Sequence, residues 1–180
     1  MERQTPRLIL REFHLSDYEA VREYDSSPAV QYYEGPVPAA EATLSYLDQT
    51  LAWVNETPRT HYRLAITVRP EDVARGRISL WLNNPATREW EMGWTVHPQY
   101  WGQGYASEAA SEMLGFAFTE LHAHRVVAFC NVLNTASVRV MEKVGMQQDG
   151  RLRETRWWNE GWVDEFVYAI LERDWEGRRN

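Results

Sequence analysis

The turn formed by residues 101–106 has the composition of an anion-binding site. Gly102 and Gly104 bracket Gln103 at the point where a strand-like segment gives way to a helix-like one. Closely spaced glycines have no Cβ atoms, so backbone N–H groups can approach an anion directly. A helix N-terminus adds unpaired N–H donors and a partial positive charge. The turn is therefore predicted to hold a pyrophosphate, although such glycines would also suit any tight turn.

Two well-known phosphate sites do not fit this turn. A P-loop requires Gly-x-x-x-x-Gly-Lys-Ser/Thr, and the chain contains no such string. A dinucleotide-binding turn requires a third glycine where this chain has Ser107, and this turn comes after several antiparallel strands. The sequence thus favours a phosphate cradle of another kind.

Hydrophobic periodicity indicates the elements that position this turn. Alternation of apolar and polar residues predicts three strands joined by short turns, which form an antiparallel meander. Apolar residues at helical spacing predict a helix after the turn, and an apolar segment without alternation predicts a strand covered on both faces. The predicted order is a strand at 7–13, helices at 16–24, 26–34 and 39–55, strands at 62–68, 78–82 and 90–96, a helix at 104–121, a strand at 125–131, a helix at 134–144, and strands at 151–158 and 163–172.

Composition narrows the class of protein. The 180 residues are 44% hydrophobic and 25% charged, which suits one globular domain, predicted to span 1–180. The net charge of −7 argues against a nucleic-acid partner and would attract a cationic amine. One cysteine, with no apolar segment suited to a signal peptide or a membrane span, predicts a cytoplasmic protein without a membrane partner. Cys130 and five scattered histidines predict no metal site.

Two motifs resemble the acetyl-CoA site of the GNAT superfamily. The first combines EMGWTVHP at 91–98 with WGQGYASEA at 101–109, and the second combines NTASVR at 134–139 with EKVGM at 142–146. The resemblance is to the RimJ/RimL-like branch, which contains ribosomal-protein N-terminal acetyltransferases. It implies a single domain of the α/β class with a central mixed, mostly antiparallel twisted sheet of about seven strands. That sheet would be splayed between the fourth and fifth strands and flanked by helices.

The resemblance also implies that acetyl-CoA lies in this splay, without a metal. The fourth strand would hydrogen-bond the pantetheine arm, the turn would hold the pyrophosphate, and the start of the helix predicted at 134–144 would lie near the thioester. The implied cofactor-binding residues are Trp94, Thr95, Val96, Trp101, Gly102, Gln103, Gly104, Tyr105, Ala106, Asn134 and Ser137. Trp101 stands where many members of the superfamily carry Gln or Arg.

Glu91 is the candidate general base, because relatives in this branch often carry a glutamate at this position. The alternation of the strand places it opposite the apolar residues. Glu89 is the alternative, since a bulge in the strand would change which side chains face the site. Ser137 is a second candidate catalytic residue, which would position the thiol or relay a proton, or would simply cap its helix. Met141 occupies the position where many relatives have a tyrosine that acts as general acid.

By the same resemblance, Tyr32, Tyr33 and Trp157 border the acceptor cleft, where their rings would contact an amine. The predicted function is transfer of the acetyl group of acetyl-CoA to a primary amine, by direct attack through a tetrahedral intermediate. The amine would be a protein N-terminus or a small molecule, and a homodimer is a candidate assembly. A non-catalytic acyl-CoA-binding module or sensor is the alternative, and a Trp-rich interaction domain is a third hypothesis.

Overall fold

The computed structural model describes residues 1–158 and 160–177. The strands are β1 (Glu2–Gln4), β2 (Leu8–Glu12), β3 (His61–Val68), β4 (Ala74–Asn84), β5 (Glu89–Val96), β6 (Arg125–Asn131), β7 (Gln147–Trp158) and β8 (Gly161–Leu171). The α-helices are α1 (Tyr18–Asp25), α2 (Pro28–Glu34), α3 (Ala40–Trp53), α4 (Tyr105–Thr119), α5 (Thr135–Lys143) and α6 (Glu172–Gly177). Short 3-10 turns cover Leu15–Asp17 and Pro98–Tyr100.

The eight strands form one mixed sheet in the order β1-β2-β3-β4-β5-β6-β8-β7. Every neighbouring pair is antiparallel except β5 and β6, which confirms the expected mixed, mostly antiparallel fold. The expected number of about seven strands is corrected to eight. The additional strand is β1, whose three residues pair with β2 and are too few to show an alternating pattern.

Helices cover both faces of this sheet, and the alternation of β3 shows how. Leu64 and Ile66 lie in a large apolar core together with α4, whereas Ala65 lies in a second cluster with residues of α1 and α3. Successive side chains of a strand point to opposite faces, so the two cores are on opposite sides of the sheet. The face that carries Ala65 is also the face of the sheet that extends towards the split between β5 and β6.

The sheet splits between β5 and β6, as expected. These strands pair only through Glu89 with Arg125, Trp90 with Val126 and Glu91 with Val127. However, β5 runs on to Val96 and β6 to Asn131, so beyond Glu91 the two strands diverge. The backbone of β5 from Met92 onward is thereby left without a neighbouring strand on the β6 side.

The C-terminal hairpin is longer than expected, because β7 begins at Gln147 rather than at Arg151. Its predicted turn includes Asn159, which lies outside the described residues, as do residues 178–180. The extent of the domain over 1–180 stays a prediction. No helix in the described ranges is both long enough and apolar enough to cross a membrane.

Candidate active site

The divergence of β5 and β6 opens a cavity of about 270 Å³. Six of the predicted site residues line it, namely Tyr33, Glu91, Trp94, Thr95, Asn134 and Ser137. The cavity therefore brings together the candidate base, the splayed strand and the start of α5. The turn at 101–106 lies outside it, beyond the end of β5.

Glu91 lies at the vertex of the split, because it belongs to the last residue pair that joins β5 to β6. Its pKa is raised to about 7, mainly because burial disfavours the charged carboxylate and also because Glu165 and Glu89 repel it. Among the described residues, no cation lies within ion-pair distance of its carboxylate. A carboxyl with a pKa near neutrality is suited to accept a proton and release it again.

The other candidate groups near Glu91 have different roles in the structure. Glu89 accepts hydrogen bonds from Asn83 at 2.8 Å and from Arg125 at 3.1 Å, so its carboxylate is already used at the edge of the split. Burial raises the pKa of the Cys130 thiol to about 11, which keeps it protonated. Met141 is fully buried in the main core, where it only packs.

The turn after β5 has the backbone that its glycines were expected to provide. Gly102 and Gly104 have φ angles of +73° and +82°, a region that is unfavourable for other residues. Gly104 directly precedes α4. None of the N–H groups of residues 102–107 donates a hydrogen bond to an acceptor in the described ranges. This row of free donors at a helix N-terminus fits a phosphate group.

Two cationic side chains flank this turn, and the sequence analysis did not single out either of them. A Cβ atom built on Gly104 would lie 3.5 Å from Arg7 Nη2 and 3.6 Å from Lys143 Nζ. Arg7 is fixed in place because it donates hydrogen bonds to Glu108 at 2.6 Å and to the Gln103 carbonyl at 2.9 Å. The cradle thus combines backbone donors with the Lys143 ammonium and with an Arg7 guanidinium that is ion-paired to Glu108.

Trp101 connects the turn to β5. Its indole N–H donates a hydrogen bond to the Val96 carbonyl at 2.6 Å, although the ring itself is 44% exposed. Trp101 therefore fixes the position of the turn relative to the splayed strand. Val96 was expected to bind the cofactor through its backbone, and its carbonyl is used in this contact.

Replacing Trp101 with phenylalanine is expected to lower the free energy of unfolding by about 1 kcal/mol, because the Val96 carbonyl loses its donor. The affinity for CoA should fall as well, since the turn is less firmly held. Urea unfolding and calorimetric titration with CoA measure the two effects. The matched control is Trp162→Phe, which alters an exposed ring that forms no hydrogen bond with the described residues. Equal stability losses in both variants would contradict this role of Trp101.

Asn134 and Ser137 divide the two roles that were left open for the start of α5. The Asn134 side-chain oxygen accepts a hydrogen bond from the Ser137 backbone N–H at 3.0 Å and so caps the helix. Ser137 is not the cap, and its hydroxyl has no hydrogen-bond partner among the described residues. That hydroxyl is therefore available to a molecule in the cavity.

Of the three aromatic residues predicted for the acceptor side, two are in contact, because the rings of Tyr32 and Tyr33 pack edge to face with their centres 4.8 Å apart. Tyr33 lines the cavity, whereas Tyr32 and Trp157 do not and are 51% and 61% exposed. The backbone around them is nevertheless held to the site, because Trp158 Nε1 donates to the Tyr32 carbonyl at 3.0 Å. Contact of Tyr32 or Trp157 with the acceptor stays a prediction.

Comparison with known proteins agrees with this geometry. A family model described as an acetyltransferase (GNAT) domain matches residues 7–147. The chain belongs to the GNAT acetyltransferase family. A relative described as an uncharacterized N-acetyltransferase, YnaD of Bacillus subtilis, is 36% identical over 95% of this chain and 97% of its own length.

Solved structures of GNAT acetyltransferases share this fold. A GNAT-family acetyltransferase from Bacillus anthracis is 33% identical with a TM-score of 0.83, covering 96% of this chain and 99% of its own. RimL, an acetyltransferase of ribosomal protein L7/L12 solved with coenzyme A, has a TM-score of 0.82 at 18% identity, over 93% of this chain and 95% of its own. The expected GNAT membership and the RimJ/RimL-like architecture are confirmed. This GNAT protein is thus an acyl-CoA-dependent acetyltransferase, and the comparisons do not favour the non-catalytic alternative.

Several charged residues of this GNAT site were missed by the sequence analysis. Arg63, Arg77, Arg156, Glu34 and Glu165 also line the cavity. The sequence did contain a signal for Arg63 and Arg77. The polar positions of β3, β4 and β5 alternate in phase, so their side chains face the same side of the antiparallel meander. Arg156 and Glu165, in contrast, reach the cavity only through the pairing of the distant hairpin with β6.

Proposed function

We propose that this protein transfers the acetyl group of acetyl-CoA to a primary amine and that Glu91 removes the proton from that amine. The observation that carries the proposal is the Glu91 carboxyl at the vertex of the split, with a pKa of about 7. A protonated alkylamine, with a pKa of roughly 10, cannot attack until it loses a proton. A nearby base of near-neutral pKa meets that need.

The cofactor side of the proposal rests on the turn between β5 and α4. Free N–H groups at 102–107, with Arg7 and Lys143 beside Gly104, would hold the phosphates. The backbone of β5 from Trp94 to Val96, except the Val96 carbonyl that accepts from Trp101, would contact the pantetheine arm along the splay. Acetyl-CoA supplies the acetyl group as an activated thioester.

The chemistry of this chain then needs few groups. The amine nitrogen would form a bond with the acetyl carbon while Glu91 accepts its proton, directly or through a water molecule. A backbone N–H of the splayed strand would stabilise the oxyanion of the tetrahedral intermediate. When the carbon–sulfur bond breaks, CoA leaves as a thiolate, and a thiol pKa of roughly 8.5 makes this acceptable without a strong acid. The Ser137 hydroxyl would position the sulfur, which offsets the lack of a proton donor at Met141.

Two measurements test this proposal in order. Acetyl-CoA should raise the melting temperature, because a ligand that binds only the folded state stabilises it. Release of free CoA thiol should then depend on added amine, assayed with a panel of small amines and N-terminal peptides, and mass spectrometry should find the acetylated amine. A melting temperature that does not change on addition of acetyl-CoA would contradict the proposal that the protein binds this cofactor. A shift without any acetylated product would point to the non-catalytic binder instead.

A further inference from the structure

The walls of the cavity carry an unusual balance of charge. Three acids and three arginines line it, namely Glu34, Glu91, Glu165, Arg63, Arg77 and Arg156. Buried or half-buried charges are normally paired, because removing them from water is costly. The pairing in this cavity therefore shows which charges the protein itself already compensates.

Two of the three arginines have acidic partners. Arg77 donates hydrogen bonds to Asp25 at 2.5 Å and to Glu34 at 3.3 Å. Arg156 lies 3.7 Å from Glu165 and donates to the Tyr33 carbonyl at 2.6 Å. These contacts account for four of the six charges. Arg63 and Glu91 are the two that remain without an oppositely charged partner among the described residues.

Arg63 is held firmly although no carboxylate holds it. Its guanidinium carbon lies 4.3 Å from the ring centre of Tyr46 and 4.7 Å from that of Trp53. Among the described residues, only the hydroxyls of Ser79 and Thr50 are in reach of its nitrogens, at 3.4 and 3.3 Å. Burial lowers the pKa of Arg63, and nearby Arg77 adds to this effect. Stacking thus positions a cation whose hydrogen-bond donors are poorly used.

Arg63 and Glu91 face the same side of the sheet. Arg63 pairs with Ser79 on β4, and Ser79 pairs with Gly93 on β5, two residues beyond Glu91. Because strands are about 4.8 Å apart and two residues rise about 7 Å, their Cα atoms are separated by on the order of 12 Å. Ser79 carries a small side chain and Gly93 none, and the Trp81 ring lies across Gly93, 3.6 Å from the place of a Cβ atom there. The Trp81 ring thus forms a wall of the cavity, against which a small molecule joining the two charges would lie.

We propose that Arg63 binds an anionic group of the acceptor, so that the substrate is a small amine that also carries a carboxylate or a phosphate, such as an amino acid. This inference rests on the proposed function, in which Glu91 receives the amine. A molecule with an amine at one end and an anion at the other complements the two uncompensated charges together. The cavity of about 270 Å³ must also receive the thioester end of acetyl-CoA beside Trp94 and Ser137, so the room that is left for the acceptor suits a small molecule.

The test compares acceptors that differ only in the anion. A series of ω-amino acids of increasing length, the corresponding aminoalkyl phosphates and the uncharged amide of each amino acid are assayed with acetyl-CoA. At the best length, the wild-type protein should acetylate an anionic acceptor at least about tenfold more efficiently than the amide, as expected for a charge-assisted hydrogen bond. The carboxylate and phosphate series then show which anion is bound.

The variant Arg63→Gln should lose this preference, because kcat/KM for the anionic acceptor should fall by a larger factor than kcat/KM for the amide. Arg63→Lys should keep part of the preference, because it retains the charge but not the planar fork. The matched control is Arg173→Gln, which removes the same charge from an exposed position on α6. Melting temperatures confirm that each variant is folded.

The possible results distinguish a failure of the role proposed for Arg63 from a failure of the proposed acetyltransferase function. If no amine is acetylated at all, the proposed function fails. If amides, diamines or neutral N-terminal peptides are acetylated as well as the anionic acceptors, the function stands and the role of Arg63 is overturned. An equal loss of rate with every acceptor in Arg63→Gln would also overturn it, because Arg63 would then only support the aromatic rings.

Discussion

Replacing Glu91 with glutamine is expected to lower kcat/KM for amine acetylation by about 100-fold or more, the usual contribution of a general base. In the unaltered protein, kcat/KM should rise with pH through about 7, because only the ionised carboxylate accepts a proton and its pKa is raised to about 7. The glutamine variant should lack the inflection near pH 7, and its residual rate should rise only with the fraction of neutral amine. Initial rates measured from pH 5.5 to 9 test both statements, and the affinity for acetyl-CoA should stay unchanged.

The matched control for this variant is Glu89→Gln, two residues earlier on the same strand. Glu89 is paired with Arg125 and lies outside the cavity, so its loss should leave the plateau rate intact. It should move the rise in rate to lower pH, because Glu89 is one of the groups that raise the pKa of Glu91. Unchanged rates in Glu91→Gln would exclude Glu91 as the base.

The substitution Glu91→Gln should also make the protein more stable at alkaline pH. Folding raises the pKa of Glu91 from 4.5 to about 7, so the folded state disfavours the carboxylate. The resulting loss of stability is absent below pH 4.5, grows as the pH rises and is complete above about 7. Glutamine cannot ionise, so the melting temperature of Glu91→Gln should exceed that of the unaltered protein at pH 8 but not at pH 4.5. A group that lowers stability in this way is typical of a functional site.

The second large effect is expected for Gly104→Ala in the turn before α4. We expect the affinity for CoA to fall about tenfold or more, which corresponds to about 1.4 kcal/mol. Alanine is unfavourable at a φ of +82°, and its methyl group would lie between Arg7 and Lys143, where a phosphate would be held. Calorimetric titration with CoA measures the loss.

Gly35→Ala is the matched control, because it introduces a similar backbone strain at a position away from the turn that is proposed to bind CoA. Gly35 ends α2 with a φ of +135°, so alanine is strained there too, but a Cβ atom at that position meets no atom within 4 Å. Both variants should therefore lose stability in urea, and only Gly104→Ala should lose affinity for CoA. If both bind CoA as the unaltered protein does, the turn is not the phosphate site.

The regular elements follow closely from the periodicity of the sequence, and the position of the split follows from the resemblance to the GNAT superfamily. The strand predicted at 125–131 has those bounds in the structure, and α4 and α5 differ from prediction by a few residues at their ends. Local periodicity determines these elements because each buries one apolar face or both. Gly102 and Gly104 adopt the positive φ angles expected from their place between a strand and a helix.

The contacts that complete the site depend on pairing between distant segments, which periodicity does not reveal. Arg7 lies before β2 and approaches Gly104 only because α4 packs across the sheet beside it. In the sequence Arg63 is an ordinary polar position of β3, and the pairing of β3 with β4 and of β4 with β5 places it on the cavity. Likewise, the hydrogen bond from Trp101 to Val96 could not be foreseen, since the sequence does not show which way a turn residue folds.

The split between β5 and β6 also creates a sheet edge in the interior of the fold. Exposed edges invite pairing with strands of other molecules, and proteins usually protect them. Here the unpaired backbone of β5 lies between strands of its own sheet, with α4 and α5 packed near the opening. A whole polypeptide strand is poorly suited to enter there, whereas a slender chain with its own amide groups would pair with it. The narrow split would therefore admit such a slender chain to the free edge of β5 and would keep strands of other molecules away from that edge.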